Sequence, residues 1–349
     1  MDVENIIKQD FKNNQITDIQ FDLNGLCNAG CWFCPVAYQG NPSRTKNSIS
    51  ISLVEKVLQN ISEEKSKNRL VSKDLSKIFT SHYNEILLYP HLEEFFKLLE
   101  KYHFKTNIFT NGTPLTPKTT NLLLRYKNII QDIVFNIPVF SNDELWAKRT
   151  NMNKKIFPKL IRNIKYAYDK LLLKNNIPLL FFVNGVSNKE IYTQGGIITP
   201  NKDFPQDINL DPSKGEHAKE IKLAKEIFPK AQVSLHNVMD RAGALNNVFT
   251  NQPSIDDFIN FNNLNKKVIG CDDLTSIKKG GRPFNFLHIN SLGEAFLCCN
   301  DFNMDYIFGD FKTQKLQDFW GKDFHISKIK EAYKGICTKC IHAKFNKKL

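Results

Sequence analysis

Three cysteines fall within eight residues, Cys27, Cys31 and Cys34 in the stretch CNAGCWFC, and the next cysteine along the chain is Cys271. Thiolates at C-x-x-x-C-x-x-C spacing in one loop can converge on a single metal centre. A structural zinc ion needs a fourth ligand to close its tetrahedron, and neither a histidine nor another cysteine lies nearby in the sequence to supply it. A cubane 4Fe-4S cluster takes three thiolates and leaves its fourth iron open to an external ligand, so it suits the donor set better, although spacing alone leaves zinc in play. Five further cysteines, Cys271, Cys298, Cys299, Cys337 and Cys340, are confined to the last 80 or so residues and close with a C-x-x-C pair, a second place for metal.

Behind these thiols stands a chain of 349 residues, longer than one ordinary core, which predicts a large α/β domain with a smaller appendage. No run reaches the roughly 18 apolar residues of a membrane span. The N-terminal MDVENIIKQDFKNN is too polar for a secretory signal. A reducing, cytoplasmic setting is therefore expected, in which clustered thiols mean metal or redox chemistry rather than disulfides. The formal charge of +12 invites nucleic acid, but the lysines are spread along the whole chain among Asn, Ile and Phe. With no arginine stripe and no aromatic-basic interleaving, a solvated basic surface is the better reading.

From residue 16 apolar runs alternate with amphipathic segments, the pattern of βα units feeding a parallel sheet. Strands are expected over 16–24, 77–82, 105–112, 132–140, 178–186 and 232–239, and helices over 52–65, 91–103, 117–127, within 155–174 and over 217–228. Six such units predict a partial (β/α)6 TIM-like barrel over residues 1–245, with its chemistry at the carboxyl ends of the strands. The first cysteine loop lies directly after the first strand, where that rule places a site. Residues 187–216, with TQGG, TPN and DPSKG, read as a substrate loop, and 246–266 as a polar linker. Residues 267–349 read as a small α+β module: FNFLHINSLGEAFLCC as two strands around a turn, LQDFWGKDFHISKIKEAYK as helix, then CTKC. Too small for much core of its own, this module needs a metal centre to hold it.

The stretch DLNGLCNAGCWFCP resembles the cluster loop of the radical S-adenosylmethionine (SAM) superfamily in spacing, in its place after the first strand and in the aromatic Phe33 before the third cysteine. The resemblance implies that Cys27, Cys31 and Cys34 bind a 4Fe-4S cluster whose open iron chelates the amino and carboxylate groups of SAM. Phe33 would then pack near the adenine, with ordinary core packing as the alternative. FTSHYNEILLYPHLEEF (79–95) stands where the family has a glycine-glycine-glutamate motif, which aligns Glu85 with the glutamate and gives neighbouring backbone the methionyl ammonium. Here His82, Tyr83 and Asn84 replace the glycines and Ile86 the usual proline. FTNGTPLT (109–116) resembles the family's turn after the third strand. SNDELWAKRTN (141–151) resembles the segment whose arginine pairs with the cofactor carboxylate, here Arg149, and Asn136 falls where relatives meet the ribose. Arg241 and His236 belong to the same barrel mouth, each with an ordinary structural role as the alternative.

The C-terminal cysteines resemble the SPASM or shorter twitch extension of the superfamily, which carries auxiliary iron-sulfur clusters. A full two-cluster module uses about seven cysteines and only five are present, so one auxiliary 4Fe-4S cluster is implied, held by Cys271, Cys298, Cys337 and Cys340. Gly293 favours Cys298 by spacing, but Cys298 and Cys299 can exchange roles. The spare Cys299 and Asp301 are the candidate catalytic residues. Together these features imply an oxidoreductase-like enzyme. A flavodoxin- or ferredoxin-type donor reduces the cluster, SAM is cleaved to a 5′-deoxyadenosyl radical, and a substrate hydrogen atom is abstracted. Oxidation or epimerisation of a small polar metabolite or sugar is the expected outcome, with peptide maturation as the alternative within the family. A zinc-stabilised nucleic-acid-binding protein is the alternative outside it.

Overall fold

The computed structural model describes residues 2–41, 47–185, 199–200, 216–237, 241–242, 244–245, 249–250, 267–271, 281–340 and 342–346. The expected substrate loop and linker lie outside the described residues apart from 199–200, 216 and 249–250.

Six strands run parallel in chain order: β1 (Asp18–Phe21), β2 (Lys77–Phe79), β3 (Lys105–Thr110), β4 (Ile130–Asn136), β5 (Leu179–Gly185) and β6 (Gln232–Asn237). The helices between them are α2 (Ile51–Lys67), α3 (Leu92–Lys101), α4 (Pro117–Arg125), α5 (Asp143–Thr150), α6 (Phe157–Ala167) and α7 (Glu216–Ile227). Local chemistry sets their ends. Ser50 Oγ accepts from the Leu53 N–H at the start of α2, and Asn68 ends that helix at a φ of 48°, a left-handed conformation that asparagine tolerates. Thr116 Oγ1 caps α4 ahead of Pro117, whose missing N–H costs nothing at that position. The inner faces of the helices bury aliphatic and aromatic side chains against the sheet. Phe181 on β5, for example, stacks between Phe135 at 4.9 Å and Phe228 at 4.7 Å. Burying one such ring contributes about 2–3 kcal/mol.

The sheet does not stop at β1. After β7 (Val268–Cys271) the chain re-enters it as β8 (Phe286–Ile289), parallel to β1 from Asp18↔Phe286 to Phe21↔Ile289. Then β9 (Glu294–Phe296) and β10 (Ile307–Asp310) add antiparallel strands, giving the order β10-β9-β8-β1-β2-β3-β4-β5-β6. The architecture is a mixed α/β fold with an open, partial TIM-like barrel, and the hairpin read from NSLGE extends the barrel sheet rather than forming a sheet apart.

Elements beyond those expected include α5 and β7. α1 (Val3–Asn13) carries Phe11 edge-on to Phe284, with ring centroids 5.1 Å apart, and its Glu4 accepts from Lys330 Nζ at 2.6 Å. The strands β10 and β11 (Ala343–Phe345) were not expected either; β11 pairs antiparallel with β7. The single helix expected over 316–334 is broken into a turn at Leu316–Phe319 and α8 (Asp323–Lys334). Gly321 between them has a φ of 69°, which a continuous right-handed helix cannot contain.

Candidate active site

A cavity of about 620 Å³ opens at the carboxyl ends of the parallel strands. Its floor is aromatic: Phe79, Phe109, Phe182 and Phe286 point inward from β2, β3, β5 and β8. Cys27, Cys31 and Cys34 all line it from the loop after β1. Backbone bonds fix that loop on both sides. The Gly30 and Trp32 N–H groups donate to the Thr150 and Arg149 carbonyls at 2.9 and 3.0 Å, and the Glu85 N–H donates to Leu26 O at 2.9 Å.

Burial pushes the Cys27 thiol up to about 11 and the Cys34 thiol up to about 12. Cys31 also rises well above the usual thiol value, through burial first and then the charges of Cys34 and Cys27. Thiols so placed keep their protons until a metal displaces them, so metal binding here is coupled to proton release. Three mutually repelling thiolates on one cavity wall fit the open-iron cubane. Among the described residues no three Cys, His, Asp or Glu side chains gather closely enough to hold a single metal ion. A cubane makes no such demand, because each thiolate takes a different iron.

Glu85 is buried, and its carboxylate accepts the Leu87 N–H at 3.1 Å and the Asn111 N–H at 2.8 Å. Burial raises it to about 7, against the lowering effect of those two N–H groups. It thus ties the loop after β2 to the Asn-Gly turn after β3, whose Asn111 Nδ2 in turn donates to Asn28 Oδ1 at 2.9 Å. Phe33 and Asn136 line the cavity, and the buried Asn136 Oδ1 accepts no hydrogen bond. His236 lies flat on Phe182, 5.0 Å between centroids, and burial lowers it to about 4, which leaves the ring neutral near pH 7. Arg241 also faces the cavity. Arg149 does not line it: its guanidinium lies over the Trp32 ring, 5.7 Å from the centroid, behind the cysteine loop.

The C-terminal thiols divide between two environments. Cys298 is raised by burial and by the charges of Cys299, Cys337 and Cys340, and Cys337 by burial, Cys340 and Cys271, so Cys271, Cys298, Cys337 and Cys340 form one electrostatic group. Four sulfurs drawn from one neighbourhood suit an iron-sulfur cluster. Cys299 instead lines the main cavity, where Arg282 Nη1 donates to its sulfur. Asp301 is turned away from the cavity and caps the following turn, accepting from the Asp305 and Tyr306 N–H groups at 2.9 and 3.0 Å, with burial raising it to about 6. The sequence reading missed Arg282, which precedes Cys299 by 17 residues with no motif between them. It also missed His82 and Tyr83, which entered it only as departures from glycine. A further omission is Asn184 on β5, buried with neither amide atom bonded.

Two family descriptions match the chain: the radical SAM superfamily over residues 23–193 and an iron-sulfur cluster-binding domain, SPASM, over 281–341. No curated protein matches it. Among solved structures, BtrN in complex with AdoMet and 2-DOIA is similar at 17% identity and a TM-score of 0.51, over 95% of this chain and 93% of BtrN. Streptococcus suis SuiB bound to precursor peptide SuiA is similar at 15% identity and 0.56, over 90% of this chain and 66% of SuiB. Native anSMEcpe with bound AdoMet is similar at 11% identity and 0.54, over 93% and 86%.

Proposed function

We propose that this member of the radical SAM superfamily, with its C-terminal SPASM domain, abstracts a hydrogen atom from a small polar metabolite or sugar, leading to its oxidation or epimerisation. When bound, a reduced 4Fe-4S cluster and SAM supply a 5′-deoxyadenosyl radical. A flavodoxin- or ferredoxin-type partner supplies the electron. Cys27, Cys31 and Cys34 hold the cluster, Phe33 and Asn136 contact the cofactor's nucleoside, and Glu85 orients the backbone that receives its amino group. Arg149 braces the cysteine loop through Trp32 instead of meeting the cofactor carboxylate. Cys271, Cys298, Cys337 and Cys340 hold one auxiliary 4Fe-4S cluster.

One observation carries the reading: the three-cysteine loop and Cys299 share the walls of a single cavity of about 620 Å³, so the cluster loop and the C-terminal domain face one enclosed space. Arg241 and Arg282 in its lining favour a neutral or acidic substrate over a polyamine. Peptide maturation is the second reading, supported by the similarity to SuiB bound to its precursor peptide. The smaller share of SuiB that is matched, against 93% of BtrN, weighs towards the small molecule.

The test is iron and sulfide analysis after anaerobic reconstitution, with SAM cleavage measured under dithionite. About eight irons in wild type are expected, falling to about four in the Cys27/Cys31/Cys34→Ala triple variant with loss of 5′-deoxyadenosine. Cleavage that persists in the triple variant would overturn the assignment.

A further inference from the structure

His82 and Tyr83 occupy positions where the related motif carries glycines, and their side chains leave the loop after β2 together. The loop is closed on itself: Asn84 Oδ1 accepts from the His82 N–H at 2.9 Å, and Asn84 Nδ2 donates to Thr80 O at 3.3 Å. From it Tyr83 Oη donates to the Cys299 carbonyl at 3.0 Å, and His82 Nε2 faces the same oxygen at 3.1 Å. A carbonyl oxygen only accepts, so Nε2 donates to it, and the oxygen's two lone pairs are both taken by one loop. The other ring nitrogen, Nδ1, lies 3.1 Å from Asp22 Oδ2, and the Asp22 N–H donates to Ile289 O at 2.8 Å across the β1–β8 seam. The Tyr83 ring meets Phe302 edge-on at 4.7 Å. The His82 and Asp22 side chains are only 3% and 4% exposed, so water cannot stand in for these partners.

The carbonyl they grip belongs to the second of two adjacent cysteines with different surroundings: Cys298 packs with Cys337 on the C-terminal core, and Cys299 lines the cavity beside Arg282. We propose that His82 and Tyr83 are positioning residues, a latch from the cofactor-side loop that holds the Cys298–Cys299 turn with one thiol in the auxiliary set and the other on the substrate-cavity wall. Two side chains in place of glycines thereby join the two parts of the molecule that share the reaction. The ligand role of Cys298 rests on the proposed function; the position of Cys299 does not.

Mass-mapped alkylation of the anaerobically reconstituted protein with limiting iodoacetamide tests this, together with EPR of the dithionite-reduced protein. In wild type the label is expected on Cys299, slowly. In Tyr83→Phe and in His82→Leu it is expected at least tenfold faster, with a changed auxiliary-cluster signal in His82→Leu. His82→Gln, which keeps a donor within reach of the carbonyl, should return labelling to within threefold of wild type. Should His82→Leu fail to load iron, Tyr83→Phe, which removes one oxygen, decides alone. Labelling of Cys298 in place of Cys299, rates within twofold of wild type in both variants, or no rescue by glutamine would overturn the latch. A wild type that takes up no iron would defeat the proposed function while leaving the labelling comparison decisive for the latch.

Discussion

Cys27, Cys31 and Cys34 leave one short loop after β1, whereas Cys271, Cys298, Cys337 and Cys340 come from the end of β7, the turn after β9 and the turn after α8. The first set is preassembled by local geometry and by backbone bonds of its loop to Glu85, Arg149 and Thr150. The second exists only when β7, β11, α8 and the hairpin have already come together, and metal held there, as proposed, would tie those elements to one another. The comparison teaches that similar ligands can serve opposite ends. On the proposed ligand sets, the fold pays for the metal's place at the first site, and at the second the metal would stabilise the fold.

The sharpest way to break that contrast is to remove one thiol from each set. Cys298→Ala is expected to lose about half the iron and to lower Tm by on the order of 5 °C or more, while Cys27→Ala loses cofactor cleavage with a much smaller Tm change. Iron analysis and thermal melts of both variants check this, and equal Tm losses would erase the distinction.

Each region also buries one carboxylate that accepts two backbone N–H groups, Glu85 beside the first set and Asp301 beside the second. Burial raises Glu85 from 4.5 to about 7 and Asp301 from 3.8 to about 6. A raised acid holds its proton when folded across a window in which the unfolded chain has released it. Each group therefore makes stability fall as pH rises, Glu85 between about 4.5 and 7 and Asp301 between about 4 and 6, with no further change above. Two units or so correspond to on the order of 3 kcal/mol each. Glu85→Gln and Asp301→Asn should each flatten the slope in its own window, read from urea midpoints at several pH values.

The smallest effect is expected at Arg149. If it braces the loop through Trp32, Arg149→Lys forfeits about 1 kcal/mol of ring contact and changes SAM affinity less than about threefold. A loss of affinity above tenfold, measured by calorimetry, would instead make it a carboxylate ligand.

Much of the scaffold was legible because it rests on local pattern. The six core strands and five of the six helices between them form within a few residues of the expected limits, since periodicity and capping residues such as Ser50 and Thr116 act over a few positions. The helix expected over 316–334 broke at Gly321, because one residue in a left-handed conformation outweighs the apolar period on either side. α1 stayed hidden since its stability comes from Phe11 and Ile7 packing with residues some 260 or more positions away.

For the site the division runs the same way. The sequence by itself determined the three-cysteine loop and its place after a strand, because ligand type and spacing within eight residues carry the chemistry. Only the tertiary structure decided which of Cys298 and Cys299 faces the cavity, that Asp301 serves a turn, that Arg149 stacks on Trp32, and that His82 and Tyr83 reach the Cys299 carbonyl. Those outcomes depend on the direction in which a side chain leaves the backbone and on what the packed chain places opposite it, and neither is encoded in spacing along the sequence.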